Sequence, residues 1–182
     1  MLILLPPSEG KTEPRRGAPL DLDALGFRTL TEPRRRLLDE LVALCRDDVE
    51  KAAGVLDLGP TQLDLVARNT DLADAPTARA DRVYTGVLYD ALDVATLSAA
   101  AKRRAGSRVA IASALFGLVR PADRTPAYRL SGGTTLPAAG PVAGVWREHL
   151  GPAGAAPARR RLVVDPRPPA YAPVLRPPGP PP

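Results

Sequence analysis

The chain has 182 residues, a formal net charge of +5 and 45% hydrophobic side chains, enough to bury the core of one domain. No apolar run approaches the ~20 residues of a membrane span, and residues 1–5 are too short a stretch for a secretory leader before Pro6 and Pro7 end it. One cysteine, Cys45, and one histidine, His149, exclude a disulfide framework, a Cys/His zinc cluster and an iron site, so the expected setting is cytoplasmic, without metal or cofactor.

Leu2 to Leu5 reads as a short buried strand. The loop behind it, PPSEGKT, contains Gly10-Lys11-Thr12, the tail of a phosphate-binding loop of the form G-x-x-x-x-G-K-[ST]. The spacing fails, because Leu5 stands where the first glycine belongs. The chemistry fails too: Pro6 and Pro7 offer no N–H to a phosphate, and Pro14 disfavours the helix that should open at Thr12. What is left is a polar loop carrying Ser8, Glu9, Lys11, Thr12, Arg15 and Arg16. TEPRRRLLDELVALCRDD predicts a helix capped by Thr31, with Leu37, Leu38, Leu41, Val42 and Cys45 on one face. Arg34, Arg35 and Arg36 in its first turn face the wrong end of the helix dipole and require solvent or an anion.

Residues 48–56 and 61–69 predict two short helices around a turn at Asp57, Leu58, Gly59 and Pro60. That outline fits a helix-hairpin-helix, whose hairpin amides face a DNA phosphate, and it also fits an ordinary helical hairpin. Gly59 is present without the usual second glycine, and the charge of Asp57 would repel a phosphate. Residues 83–92 fit either strand or helix. Residues 96–104 predict a helix with Lys102, Arg103 and Arg104 in its last turn, where the dipole favours cations.

Residues 109–114 predict a buried strand that feeds a loop punctuated by Gly117, Pro121 and Pro126. Arg120, Asp123, Arg124, Tyr128 and Arg129 crowd this loop, either as a site at a strand end or as a salt bridge that fixes the loop. GPVAGVWREHLG predicts a short helix, and residues 162–164 a last strand. From Pro166 onward the density of proline predicts an extended, disordered tail over residues 166–182, leaving one domain over residues 1–165.

In combination, LLPPSEGKT, VYTGVLYDAL, LFGLVRP and PAYRL resemble the YaaA family of bacterial peroxide-stress proteins, in its actinobacterial form, over residues 1 to about 165. The resemblance implies a mixed α/β fold in a single compact domain, with a central mixed sheet, flanking helices and a helix-hairpin-helix element. It implies a monomeric DNA-binding protein that contacts phosphates with little sequence preference and limits iron-driven oxidative damage indirectly. The implied nucleic-acid or anion-binding set is Ser8, Lys11, Thr12, Gly59, Tyr84, Arg120, Asp123, Tyr128 and Arg129, with Lys11, Arg120 and Arg129 sharing one electropositive cleft. The alternative is an enzyme acting on a nucleotide or other small anionic ligand, with Lys11 or a tyrosine moving the proton.

Two departures stand out. Gly132 occupies the place of a family methionine. VVDPRPPAYAPVLRPPGPPP replaces a basic C-terminal region, with Asp165, Arg167 and Tyr171 still matching its start, so a shifted frame or truncated gene is expected there.

Overall fold

The computed structural model describes residues 1–8, 10–158 and 162–167. Glu9 and residues 159–161 lie outside that set, and so does the expectation of a disordered tail from residue 168 onward. The apolar run before the proline pair forms β1 (Leu2–Leu5), and a long polar connection leads to α1 (Thr31–Asp47), α2 (Val49–Val55) and α3 (Leu63–Thr70). There follow β2 (Ala78–Arg79), α4 (Ala80–Val83), α5 (Val87–Leu92), α6 (Ala99–Arg108), β3 (Val109–Ser113) and β4 (Gly117–Val119). Short strands β5 (Arg124–Thr125), β6 (Thr135–Leu136) and β7 (Gly140–Pro141) then precede α7 (Val142–Ala158) and β8 (Val163–Val164).

The central sheet has the order β4–β3–β1–β8. β1 runs parallel to both β3 and β8, while β4 returns antiparallel to β3. The fold is therefore the mixed α/β architecture expected, a central mixed sheet with flanking helices. Every residue of β3 is buried, which is why it reads as an uninterrupted small-apolar run rather than an alternating one.

Four expectations shift at the level of single elements. Thr31 is the first helical residue of α1, not its cap; the preceding Leu30 makes no side-chain capping bond. Residues 83–92 resolve as helix on either side of the extended Tyr84. LFGLV forms a turn and then strand β4 rather than a loop, because Leu115, Phe116, Leu118 and Val119 are fully buried. Finally, α6 runs on to Arg108, so Lys102, Arg103 and Arg104 sit mid-helix and the helix dipole does not account for them.

Arg34 departs furthest from expectation. It is 0% exposed and its hydrogen bonds go to backbone carbonyls, not to an anion. Its Nε donates to the Phe116 carbonyl (2.9 Å), and its Nη2 to the carbonyls of Gly26 (2.8 Å) and Leu118 (2.6 Å). The guanidinium fork thus fastens the first turn of α1 to the β3–β4 turn, 82 residues away in sequence. Burial pulls its pKa down to about 10, with the carboxylate of Asp123 opposing that shift. Its neighbours Arg35 and Arg36 are exposed, and Arg35 reaches Asp23 at 3.8 Å.

The same turn explains a glycine. Gly117 has φ +72°, and a Cβ there would lie 2.7 Å from the ring of Trp146. That indole is itself anchored by donation from Nε1 to the Ala114 carbonyl at 2.6 Å.

Arg34→Ala strands the two buried carbonyls of Phe116 and Leu118 and frees the half-buried one of Gly26; it is expected to cost about 3 kcal/mol or more, read as a lowered urea midpoint. Arg34→Lys should recover less than half of that loss, since an ammonium lacks the fixed fork. Gly117→Ala is expected to cost roughly 1–3 kcal/mol, and Trp146, the sole tryptophan, should show red-shifted emission. An unshifted spectrum would mean that the indole does not pack on Gly117.

Candidate anion-binding site

Because Ile3 pairs with Val109 and Leu5 with Ile111 in parallel register, β1 and β3 release their chains at the same edge of the sheet. The carboxyl edge of parallel strands is where open α/β sheets place ligands. Off β1, the Pro6 carbonyl accepts from the Tyr89 hydroxyl at 2.6 Å. The Ser8 hydroxyl bonds to the carbonyls of Gly10 (2.7 Å) and Thr85. Thr85 N–H donates to the Gly10 carbonyl (3.3 Å), and Thr12 N–H to that of Val83 (2.8 Å). A Cβ on Gly10 would lie 2.8 Å from Thr85 Oγ1, so glycine is what lets the two segments close on each other. The GKT loop is stitched to residues 83–85 through a bridge between Lys11 and Tyr84; it does not open a helix.

The stitching aims Lys11. Its Nζ donates to the Ser8 carbonyl at 2.8 Å and lies 4.3 Å from the Tyr128 ring centroid and 5.6 Å from that of Tyr84, within cation–π range of both. Beneath it runs a chain of buried hydroxyls. Tyr84 meets Tyr128 at 3.2 Å, Tyr128 meets Ser113 at 2.8 Å, and Ser113 Oγ accepts from Phe116 N–H at 3.0 Å. Burial pushes both phenols above the usual tyrosine pKa; at Tyr128 this is opposed by hydrogen bonds from Ser113, Tyr84 and the backbone at Leu115 and Ala114. Both rings therefore present neutral, electron-rich faces to the Lys11 ammonium.

The predicted residues divide around this centre. Ser8, Lys11, Tyr84 and Tyr128 come together. Thr12 joins them through its backbone, with its side chain exposed. The main chain of Arg129, next to Tyr128, is clasped by Asn69, which donates to its carbonyl (2.7 Å) and accepts from its N–H (2.9 Å).

Arg120 lies elsewhere. Its guanidinium covers the Phe27 ring at 4.4 Å and donates to the Val109 carbonyl at 3.0 Å. Val109 opens β3 whereas Ser113 ends it, so roughly 13 Å of strand separates Arg120 from the hydroxyl chain. The single hollow uniting Lys11 with Arg120 does not form. Asp123 accepts from the N–H groups of Gly26 (3.0 Å) and Arg120 (2.8 Å), which fixes the loop through backbone amides rather than a salt bridge.

Gly59 also stands apart, at the far end of α3 from Arg68 and Asn69. A helical hairpin is present at residues 49–70, but four of the amides around its turn are occupied. The N–H groups of Asp57, Leu58 and Gln62 bond to the carbonyls of Gly54, Ala53 and Gly59. Gly59 N–H itself donates to Gln62 Oε1 at 3.2 Å. Asp57 holds the left-handed conformation at φ +54° where a glycine would be expected.

Beside the Lys11 loop, α4, α5 and α6 enclose an open cleft of about 860 Å³ whose lining includes Tyr84, Thr85, Arg79, Arg82, Lys102 and Arg103. Arg79 is committed to Asp81 by two bonds, at 3.0 and 2.6 Å. Arg82, Lys102 and Arg103 form no ion pair among the described residues. Lys102 donates only to the Ala95 carbonyl, at 2.8 Å.

Of these residues the sequence singled out Lys102 and Arg103, but assigned them to a helix end. Arg79 and Arg82 carried no local signal. Ser113 did carry one, as the lone hydroxyl within VAIASALF. Arg167 is also part of the packed structure: its side chain is fully buried and bonds Asp165 at 2.7 Å through both Nε and Nη2.

No helix among the described residues is long and apolar enough to cross a membrane. The chain is 48% identical over 179 residues to the UPF0246 protein SCO2297 of Streptomyces coelicolor, covering 98% of this chain and 69% of that protein. It is 51% identical over 139 residues to the UPF0246 protein CE1889 of Corynebacterium efficiens, covering 76% of this chain and 54% of the relative. A more distant UPF0246 protein, from Shewanella halifaxensis, is 30% identical over 138 residues, 75% of this chain and 52% of its own length. The chain thus spans about half to two thirds of the length of these relatives. The family profile described as "Peroxide stress protein YaaA" matches residues 1–179, and with it this chain belongs to the YaaA peroxide-stress protein family.

Proposed function

We propose that this protein binds the phosphate backbone of DNA, without strong sequence preference, as its part in protection against peroxide. The observation that carries this reading is the cleft in which Arg82, Lys102 and Arg103 stand without a carboxylate partner among the described residues. Cations that are already paired contribute little field at a distance, whereas unpaired ones lining a concave wall raise the local potential and draw in a polyanion. Lys11, fixed over two aromatic rings beside the same cleft, adds a positioned ammonium. The helical hairpin has a smaller part here than in the expectation from sequence, because its amides are engaged internally.

Backbone binding of this kind follows salt. Three cations each neutralising a phosphate give a roughly fortyfold loss of affinity for duplex DNA between 50 and 200 mM salt, and each cation removed should flatten the logarithmic slope by about 1. Fluorescence anisotropy on a random-sequence duplex, with the Arg82→Ala/Lys102→Ala/Arg103→Ala triple variant alongside, checks both. A triple variant that retains the full slope would move the DNA surface elsewhere; absent binding at low salt would end the reading.

The hydroxyl chain under Lys11 favours a second reading, an enzyme that acts on a small anionic substrate with Lys11 or a tyrosine moving the proton. The same titration separates the two. A Lys11→Ala variant that loses as much DNA affinity as Arg103→Ala places Lys11 in the polyanion surface. One that keeps its DNA affinity leaves Lys11 to the chemistry of the small ligand.

A further inference from the structure

Besides Asp81, which is paired with Arg79, the cleft contains two carboxylates that a surface made only for phosphates would avoid. Asp90, in the last turn of α5, and Asp93, directly after that helix, both line it and are exposed. Neither carboxylate has a hydrogen-bond or ion-pair partner among the described residues. Both carboxylates belong to the same end of α5 and line the same cleft. Asp93 is held in a left-handed conformation, φ 32°. Its carbonyl accepts from the N–H (3.0 Å) and hydroxyl (2.9 Å) of Thr96. Lys102 then ties this turn to α6 through the Ala95 carbonyl at 2.8 Å. The turn that follows Asp93 is thus tied to the helix that carries Lys102 and Arg103.

Space has been kept between them. Ala95, Gly106 and Ala122 line the cleft, and a Cβ on Gly106 would meet nothing within 4 Å. A volume of about 860 Å³ suits a ligand of nucleotide size rather than a bare ion. A phosphate would be repelled by the carboxylates but held by the three cations; neighbouring hydroxyls are the groups that a carboxylate accepts from in pairs.

We infer that the cleft binds a small molecule that joins a phosphate to a vicinal diol, with Arg82, Lys102 and Arg103 on the phosphate and Asp90 and Asp93 on the hydroxyls. A ribonucleotide and a free sugar phosphate both have this chemistry. The inference deepens the reading of the cleft as an anion site and rests on the same three cations, but it adds the carboxylates, which duplex DNA has no use for.

Calorimetric titration of the full chain with AMP, 2′,3′-dideoxy-AMP, ribose 5-phosphate and inorganic phosphate tests it, with duplex DNA anisotropy run in parallel. AMP should bind about tenfold or more tightly than its dideoxy counterpart, because the pairing of the hydroxyls with the two carboxylates is lost in the latter. In the Asp90→Asn/Asp93→Asn variant that preference should fall to about twofold or less, while DNA affinity holds or rises as two negative charges leave the cleft. Equal affinity for ribose 5-phosphate and AMP assigns the site to sugar phosphates, and a clear excess for AMP assigns it to ribonucleotides.

AMP and dideoxy-AMP binding alike, a preference that survives in the double variant, or no small ligand binding at all would overturn the inference. DNA binding with no diol preference leaves the DNA reading standing alone. Diol preference without DNA binding removes that reading and keeps this one. Since both aspartates are exposed, an unchanged thermal midpoint verifies that the variant is folded.

Discussion

Parallel pairing of β1 with β3 is the constraint on which the site depends. Side chains alternate faces along a strand, so a one-residue slip would exchange every buried side chain for its neighbour. Leu2, Leu4 and Leu5 on β1, and all of β3, are buried, and Ile3 stands opposite Val109 in parallel register. Once that register is set, the loop after Leu5 and the turn after Ser113 must leave the sheet side by side. The meeting of Lys11 with Tyr128 and Ser113 is a consequence of strand pairing, not of any attraction between the residues themselves.

The turn after β3 would be a weak point without Arg34. It carries a left-handed glycine and turns two carbonyls, those of Phe116 and Leu118, toward the interior. An unmade hydrogen bond in such a place costs more than a made one contributes. One guanidinium donates to both, and its Nη2 also reaches the half-buried Gly26 carbonyl. The aromatic residues have gathered around the same turn: Phe116 meets Tyr128 edge-on at 5.5 Å, Tyr84 stacks with Tyr89 at 5.8 Å, and Trp146 covers Gly117. In a chain with 4% aromatic residues, this concentration gives the sheet edge both its rigidity and the electron-rich faces that hold Lys11.

Electrostatics divides the surface into neutralised and unneutralised parts. Arg46 with Asp71, Arg35 with Asp23 and Arg68 with Glu13 are exposed or half-exposed pairs that contribute little to stability and cancel in the far field. Along the cleft Arg82 of α4 and Lys102 and Arg103 of α6 have no such partner among the described residues. The carboxylates of Asp90 and Asp93 interrupt that field at one place, and selectivity among anions arises from such interruptions.

Much of this was determined by the sequence alone. The apolar runs at residues 2–5, 109–113 and 163–164, and the leucine face of α1, follow from local periodicity and composition, which need no partner to be read. The motif combination also identified the family. The failed spacing of GKT was enough to reject a phosphate-binding loop, because backbone N–H supply and helix initiation are local properties. What only the tertiary structure decided were the long-range matters. Arg34 lies in the core where the carbonyls of Phe116 and Leu118, 82 and 84 residues away, accept from it. Arg120 and Lys11 are parted because one sits at the start of β3 and the other at its end. Arg82, Lys102 and Arg103 share a wall because α4 and α6 fold toward each other. A sequence fixes what each side chain can do, whereas the direction it faces and the charge opposite it are set by packing between segments dozens of residues apart.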